Sequence, residues 1–249
     1  MNEIIEYGNQ EIDFRDYPSI FSYIDDDNPY LSSPNAPYDL PFYQTRDSLL
    51  DVEVYKAFLN NAVSRFRRSR YYKTYKSYLM GLGLDKCAIM GNVTDDMAKL
   101  EMHHNFLTIH DIALMITEHV INTVGKISTF DLINLLIAEH WNNNVPIVML
   151  TETMHQIYHS DQNYFISPNS TFGKWWELLY KYRFGITINI ARKVINYIDR
   201  YSNIAEGNMF VNMRNDILSF SNYNQYGYNN LTINQLDNMN QNLLETELF

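Results

Sequence analysis

The chain has 249 residues and a formal net charge of −10, and 46% of its residues are hydrophobic. This apolar content supports a folded core and excludes a wholly disordered protein. No apolar run reaches the roughly 18 residues of a transmembrane helix, and the N-terminus lacks the basic and apolar regions of a signal peptide. The single cysteine, Cys87, excludes an internal disulfide framework and indicates a reducing compartment, so a cytoplasmic location is expected.

The negative charge is concentrated in the N-terminal part of the chain. Residues 1–54 contain twelve Asp and Glu against Arg15 and Arg46, whereas residues 55–249 contain seventeen acidic and seventeen basic residues. The net charge therefore does not argue against a phosphate-bearing substrate. Five prolines between positions 18 and 41 predict an extended arm over residues 1–54. This arm is either solvated, docked on a partner or laid over the protein's own basic surface.

A helical pattern runs from Ser48 to about Met80 and becomes basic in its second half. In this basic helix, residues 63–78, tyrosines are interleaved with cations, a combination suited to phosphate contacts and base stacking. Nucleic-acid binding is therefore predicted, the structural alternative being an exposed basic face with tyrosines packed inward. The predicted contact residues are Arg65, Arg67, Arg68, Arg70, Lys73 and Lys76.

Short strands and helices are predicted for the middle of the chain. The sequence pattern over Asp85–His104 predicts a β-hairpin with the strands CAIMG and MAKLEMHH. Residues 106–142 are a helical insertion whose two helices begin at the N-caps Thr108 and Ser128.

The second half of the chain continues the mixed pattern. VPIVML, residues 145–150, is too short for a helix and is predicted as a strand, and Thr151 caps the helix that follows. Residues 172–202 are predicted to be helical. The Asn-rich residues 203–249 are expected to be a loosely held tail or a docking segment.

All seven histidines lie between residues 99 and 160. His155 and His159 are spaced i, i+4 on the predicted helix, so they share one face and can chelate one ion. His103 and His104 are adjacent on a strand and point in different directions, so one can complete the metal site while the other acts as a general base. The remaining three are predicted to be structural: His110, His119 and His140.

The stretches LEMHH (100–104) and VPIVMLTETMHQIYH (145–159) resemble the two halves of the HNH nuclease motif, especially the version in the DNase domains of bacterial colicins. The resemblance implies a ββα-metal fold that uses one divalent ion (Mg, Mn, Ni or Zn) to cut DNA. It implies His104 as the general base, and Glu101 takes the place of a glutamate that often precedes the histidine pair. The implied metal ligands are His103, His155 and His159.

The chain departs from this family at two places. The family's middle Asn, which orients the base, falls on Pro146 when counted back from His155, so Asn144 or Asn143 would have to serve through a slight shift. The family's loop is short or moderate, whereas here it is replaced by the helical insertion.

The expected fold is α+β and mainly helical, with a ββα-metal core within residues 55–202 and extended terminal arms. The expected function is a metal-dependent HNH endonuclease of phage or mobile-element origin that acts on DNA, with RNA left open, and no membrane partner is expected. The alternative is a structural or assembly protein of a virion, in which the metal staples the fold and the arms bind neighbouring proteins. A third interpretation is an inhibitor or adaptor whose acidic arm mimics nucleic acid. The structural alternative to the metal site is a buried, hydrogen-bonded histidine cluster without a metal.

Overall fold

A computed structural model describes residues 4–7, 10–13, 43–160, 165–202 and 211–227 of the protein. Its strands are β1 (Ile4–Tyr7), β2 (Gln10–Asp13), β3 (Tyr43–Thr45), β4 (Leu100–His104), β5 (Lys126–Ser128) and β6 (Ile147–Thr151). Its α-helices are α1 (Val52–Arg68), α2 (Arg70–Gly81), α3 (Ile109–Val124), α4 (Thr129–Trp141), α5 (Glu152–Ser160), α6 (Trp175–Lys181), α7 (Ile188–Ser202) and α8 (Val211–Gly227). The predicted class, α+β and mainly helical, is confirmed.

The strands of the described residues form three antiparallel pairs: β1 with β2, β3 with β5, and β4 with β6. In the third pair, Leu100 lies opposite Thr151 and His104 lies opposite Ile147. No described helix is long and apolar enough to cross a bilayer.

The main core lies around α3, which is buried along most of its length. Both helices of the predicted insertion begin as the sequence indicates. Thr108 and Ser128 each form a capping box, with Asp111 and Asp131 respectively. The buried Asp111 also pairs with Lys193 at 2.8 Å, which ties α3 to α7.

The predicted helix from Ser48 to Met80 is divided at Ser69. This residue has an extended backbone (φ −66°, ψ 153°), and its side chain accepts a hydrogen bond from the Tyr72 amide, so it ends α1 and caps α2. The fold also begins earlier than the predicted boundary at residue 54. Arg46 forms a bidentate ion pair with the buried Glu118 of α3, in which its two terminal nitrogens donate to the carboxylate oxygens at 3.0 and 2.8 Å. Residues 14–42 of the predicted arm lie outside the described residues.

The predicted hairpin over Asp85–His104 is wrong. Residues 86 and 94 form only an isolated bridge, and the partner of β4 is the distant strand β6. The amide of Ala88 donates to the Met149 carbonyl at 2.8 Å, so this segment lies against the edge of β6 that faces away from β4. Contact with the strand edge satisfies backbone groups that a local hairpin would have paired internally.

The described residues of the C-terminal part contain more helices than predicted. The helix expected over residues 172–202 is two helices, α6 and α7, joined by the single 3-10 turn Arg183–Gly185. The predicted tail contains α8, whose Met213 and Ile217 belong to the main core. Residues 203–210 and 228–249 lie outside the described residues.

Candidate metal centre

The candidate site is built on β4, β6 and α5. The predicted strand at 145–150 and the helix capped by Thr151 are both present. The Thr151 hydroxyl accepts from the Met154 amide at 3.3 Å. Helix α5 follows β6 without a loop and contacts both strands. The result is a compact ββα unit in which the end of β4 faces one side of α5.

Three imidazoles converge between β4 and α5. His103 Nδ1 lies 2.9 Å from His155 Nε2, and His159 Nε2 lies 3.0 Å from the same atom. The ligand atoms of all three rings lie within 4.8 Å of one another. The structure therefore brings together the three histidines that the resemblance implies as metal ligands.

Glu101 fixes the orientation of His155. Its Oε2 lies 2.8 Å from His155 Nδ1, and Lys99 Nζ lies 3.0 Å from its other oxygen. The hydrogen bond from His155, and after it the one from Lys99, lowers the pKa of the Glu101 carboxyl. A carboxylate accepts at this distance, so the His155 Nδ1 carries the proton and its Nε2 presents a lone pair to the other two rings.

This arrangement fits a metal ion. One Nε2 lone pair cannot accept from both His103 and His159 along its own axis, whereas three lone pairs can share a cation. In a tetrahedral zinc site, Zn–N bonds of about 2.0–2.1 Å place the nitrogens roughly 3.4 Å apart. The two shorter separations here, 2.9 and 3.0 Å, are within a few tenths of an ångström of that value.

Burial favours the neutral forms of His103 and His159, which ligation requires. Burial, and then the neighbouring His155 and His159, lowers the pKa of His103 to about 3. The pKa of His159 is also lowered, mainly by burial and secondarily by the neighbouring His155.

The predicted general base, His104, lies on the other side of the strand. Its Nε2 is 2.9 Å from His140 Nε2, and His140 Nδ1 donates to the Leu136 carbonyl at 2.6 Å. The His140 Nε2 is therefore an acceptor, and His104 donates its Nε2 proton to it. Burial lowers the pKa of His104 well below its ordinary value and that of His140 to about 4. The structure thus places His104 in a buried pair with His140 of α4.

The predicted orienting residue, Asn144, does not reach His104. Its buried amide donates to Glu139 Oε2 at 2.8 Å. Glu139 is itself buried and bonded to Lys181 and to the Tyr182 hydroxyl. The other candidate, Asn143, contacts the hydroxyls of Tyr75 and Tyr78 on α2, each at 3.3 Å. Neither asparagine orients an imidazole here, because the chain entering β6 passes the end of α4 instead.

One positioning residue could not be found from the sequence. Asn105 follows the histidine pair, and its amide donates to Thr171 Oγ1 at 2.7 Å and to the Tyr197 hydroxyl at 3.1 Å. Its carbonyl accepts from the Tyr158 hydroxyl of α5 at 2.8 Å. Asn105 therefore holds α5 against the end of β4. No motif marks it, because its partners are 53 to 92 residues away in sequence.

The predicted nucleic-acid contacts lie around the bend between α1 and α2. Arg65, Arg67, Arg68, Arg70 and Lys73 are exposed there. Lys76 is half-buried and pairs with Asp95 at 3.2 Å. Phe66 and Tyr72, on either side of the bend, contact the ring of His140, with centroids 4.7 and 6.0 Å apart. The bend thus lies on the His104 side of β4, opposite the three converging imidazoles.

The predicted structural role fits His119. Its ring stacks on Phe184, with centroids 5.6 Å apart, and its Nδ1 is buried without a hydrogen-bond partner. Burial, and then Arg183, lowers its pKa to about 4.

The free energy of unfolding should therefore fall as the pH drops below 6.5. In this range His119 becomes protonated in the unfolded chain but stays neutral in the folded protein. The expected loss is about 2 kcal/mol for this residue between pH 7 and pH 5. Urea unfolding of wild type and His119→Phe at both pH values measures it, and the variant should lose about 2 kcal/mol less. Equal losses in the two proteins would show that His119 does not contribute.

The fold and the site together define a mainly helical α+β protein with a ββα unit that carries three converging imidazoles. The sequence matches the family of bacteriophage G278-like virion proteins over residues 21–242, so the chain belongs to that family. No curated protein and no solved structure matches the chain significantly.

Proposed function

We propose that this protein is a structural component of the phage particle, in which one divalent transition-metal ion joins β4 to α5 through His103, His155 and His159. Membership of a virion protein family gives the setting. The observation that carries the metal is the convergence of three ring nitrogens within 4.8 Å.

Helix α5 has little apolar burial of its own, so a metal ion that joins it to β4 would add to its stability. The helix has only nine residues, and none of its side chains is fully buried. Isolated helices of this length are marginal in water, and apolar burial normally supplies the missing stability. Met154 and Tyr158 pack on the small apolar cluster of β4 and β6, and Tyr158 also reaches Asn105. The other contact of α5 with β4 is made by the histidines of the site.

The ligand set selects among the four candidate metals. Imidazole nitrogens suit zinc and nickel, whereas magnesium and manganese prefer oxygen ligands. Of these two metals, zinc is the one that commonly binds three histidines in a tetrahedral site with one open position, so we propose zinc. His155 and His159 are half-exposed, so a fourth ligand can reach the ion from solvent or from a neighbouring protein.

Elemental analysis of the full chain, purified without chelators, tests this proposal. About one equivalent of zinc per chain is expected. A metal-free protein that also fails to take up zinc during dialysis would overturn the proposal.

The second candidate is an HNH endonuclease. The observation that favours it is the order β4, β6 and α5, with Glu101 and the three imidazoles at the places that the resemblance implies. In such an enzyme the metal would stabilise charge on the scissile phosphate, and His104 would activate the water. That role needs an exposed imidazole within reach of the metal, whereas His104 is buried and bonded to His140. We therefore rank the structural role first.

A plasmid assay separates the two candidates. Supercoiled plasmid is incubated with wild type or His104→Ala in Mg²⁺, Mn²⁺, Ni²⁺ or Zn²⁺, with EDTA as the metal-free control. Because the His104 proton is already bonded, we expect no nicking above the level of the variant. Nicking that needs both a metal and His104 would establish the nuclease instead.

A further inference from the structure

The bend between α1 and α2 presents a strongly positive surface, here called the basic corner: Arg65, Arg67, Arg68, Arg70 and Lys73. Arg65 and Arg68 are held in place within α1 by hydrogen bonds to Asn61 and Ser64, at 2.7 and 2.9 Å. Among the described residues, no carboxylate forms an ion pair with Arg65, Arg68, Arg70 or Lys73. Like charges crowded in this way favour an anionic occupant.

Elsewhere in the described chain, cations commonly have carboxylate partners. Such pairs are formed by Arg46, Lys76, Lys99, Lys174, Lys181, Lys193 and Arg214. The basic corner differs in bringing four cations without an ion pair among the described residues onto one bend: Arg65, Arg68, Arg70 and Lys73.

The matching negative charge lies in the N-terminal segment of the same chain. Residues 1–42 contain nine Asp and Glu and one Arg, and three of the acids are consecutive, Asp25, Asp26 and Asp27. Duplex DNA is the other polyanion that could fit. DNA must be captured from solution, whereas a segment of the same chain is tethered near the basic corner at a high effective concentration.

The length of the chain permits this contact. The segment joins the fold at Tyr43 in β3, and the turn Ser48–Leu50 leads directly into α1. The 17-residue helix α1 carries the chain about 25 Å to the basic corner. Fifteen residues separate Asp27 from Tyr43, and that many residues span up to about 50 Å when extended.

From the charge and the reach, we infer that the acidic segment around Asp25–Asp27 docks on the basic corner of its own chain and shields it from other polyanions. This inference does not depend on the metal site, which lies on the other side of β4.

Zero-length carbodiimide cross-linking of the full chain tests the inference, because the reagent joins a carboxylate to an amine only when the two are in contact. Lys73 is the amine of the basic corner, and links from Lys73 to Asp25, Asp26 or Asp27 are expected. The neighbouring pair Lys76–Asp95, with its atoms 3.2 Å apart, is the internal positive control. The exposed Lys174 is the negative control for the segment.

A charge variant gives the sharper comparison. Arg65→Gln, Arg68→Gln and Arg70→Gln together keep the Lys73 amine but remove its neighbours' charge. They should reduce the Lys73 links several-fold, as should 0.5 M salt, and leave the Lys76–Asp95 link unchanged. The absence of Lys73 links, or their persistence in the variant, would overturn the inference.

Two further experiments test whether the basic corner is instead occupied by a second copy of the chain or by nucleic acid. In a mixture of ¹⁴N- and ¹⁵N-labelled protein, links within one isotope are expected, and mixed-isotope links would overturn docking within one chain. Stoichiometric binding of a 20-base-pair duplex with loss of the Lys73 links would show that nucleic acid is the preferred occupant.

Discussion

Gly185→Ala should unfold the protein or destabilise it by about 4 kcal/mol or more, one of the largest effects of a single methyl group. A Cβ at this position would lie 1.8 Å from the Met115 carbonyl oxygen and 2.8 Å from the His119 amide nitrogen. Both atoms belong to the backbone of the buried helix α3, so neither can move aside as a side chain would. The 3-10 turn Arg183–Gly185 packs on α3 only because residue 185 has no side chain.

Urea unfolding followed by circular dichroism measures this effect, and Gly81→Ala is the matched control. Nothing lies within 4 Å of a Cβ built on Gly81, which ends α2. Because alanine is the better helix former, this variant should be neutral or more stable by up to about 1 kcal/mol. Similar losses in the two variants would mean that the turn does not approach α3 closely.

The features predicted correctly from the sequence depend on residues close together in the chain. Thr108, Ser128 and Thr151 each accept from an amide three residues ahead, so a short window contains both partners. The i, i+4 spacing of His155 and His159 likewise fixes a shared helix face.

The features that were mispredicted depend on distant partners. The residues from Asp85 to His104 alternate well enough for a hairpin, but β4 pairs with a strand more than forty residues later. The pair between Arg46 and Glu118 spans 72 residues, so the start of the fold could not be set from local composition.

The environment of His104 shows the same limit at the candidate site. Strand alternation predicts that His103 and His104 point to opposite sides, but not what covers each side. His103 meets α5, whose position follows from the adjacent strand β6. His104 meets His140, 36 residues away, and only the packing of α4 decides that contact. The proposed ligands were therefore predictable, and the burial of the proposed base was not.

Removing the metal should lower the melting temperature of the wild-type protein by about 10 °C. A ligand present at about 1,000 times its Kd stabilises the folded state by about 4 kcal/mol, and each kcal/mol shifts the melting temperature of a chain this size by about 2–4 °C. Thermal unfolding of the zinc-loaded protein, with and without EDTA, measures the shift.

Substitutions on α5 show whether this stability comes from the site. His155→Ala should lose the zinc and melt at the temperature of the EDTA-treated wild type, with no further response to EDTA. Gln156→Ala is the matched control, because Gln156 is exposed on the same helix, and it should retain both the zinc and the EDTA response. Loss of zinc in both variants would point to disruption of α5 rather than to a lost ligand.

Glu101→Gln separates ligation from orientation. The amide can no longer attract the His155 proton as a carboxylate does, so zinc affinity should fall about 10- to 100-fold. All three imidazoles remain, so saturating zinc should restore full occupancy and most of the melting temperature. If affinity is unchanged, the 2.8 Å contact between Glu101 and His155 does not tune the site. If saturating zinc does not restore occupancy, Glu101 is required for assembly of the site and not only for the orientation of His155.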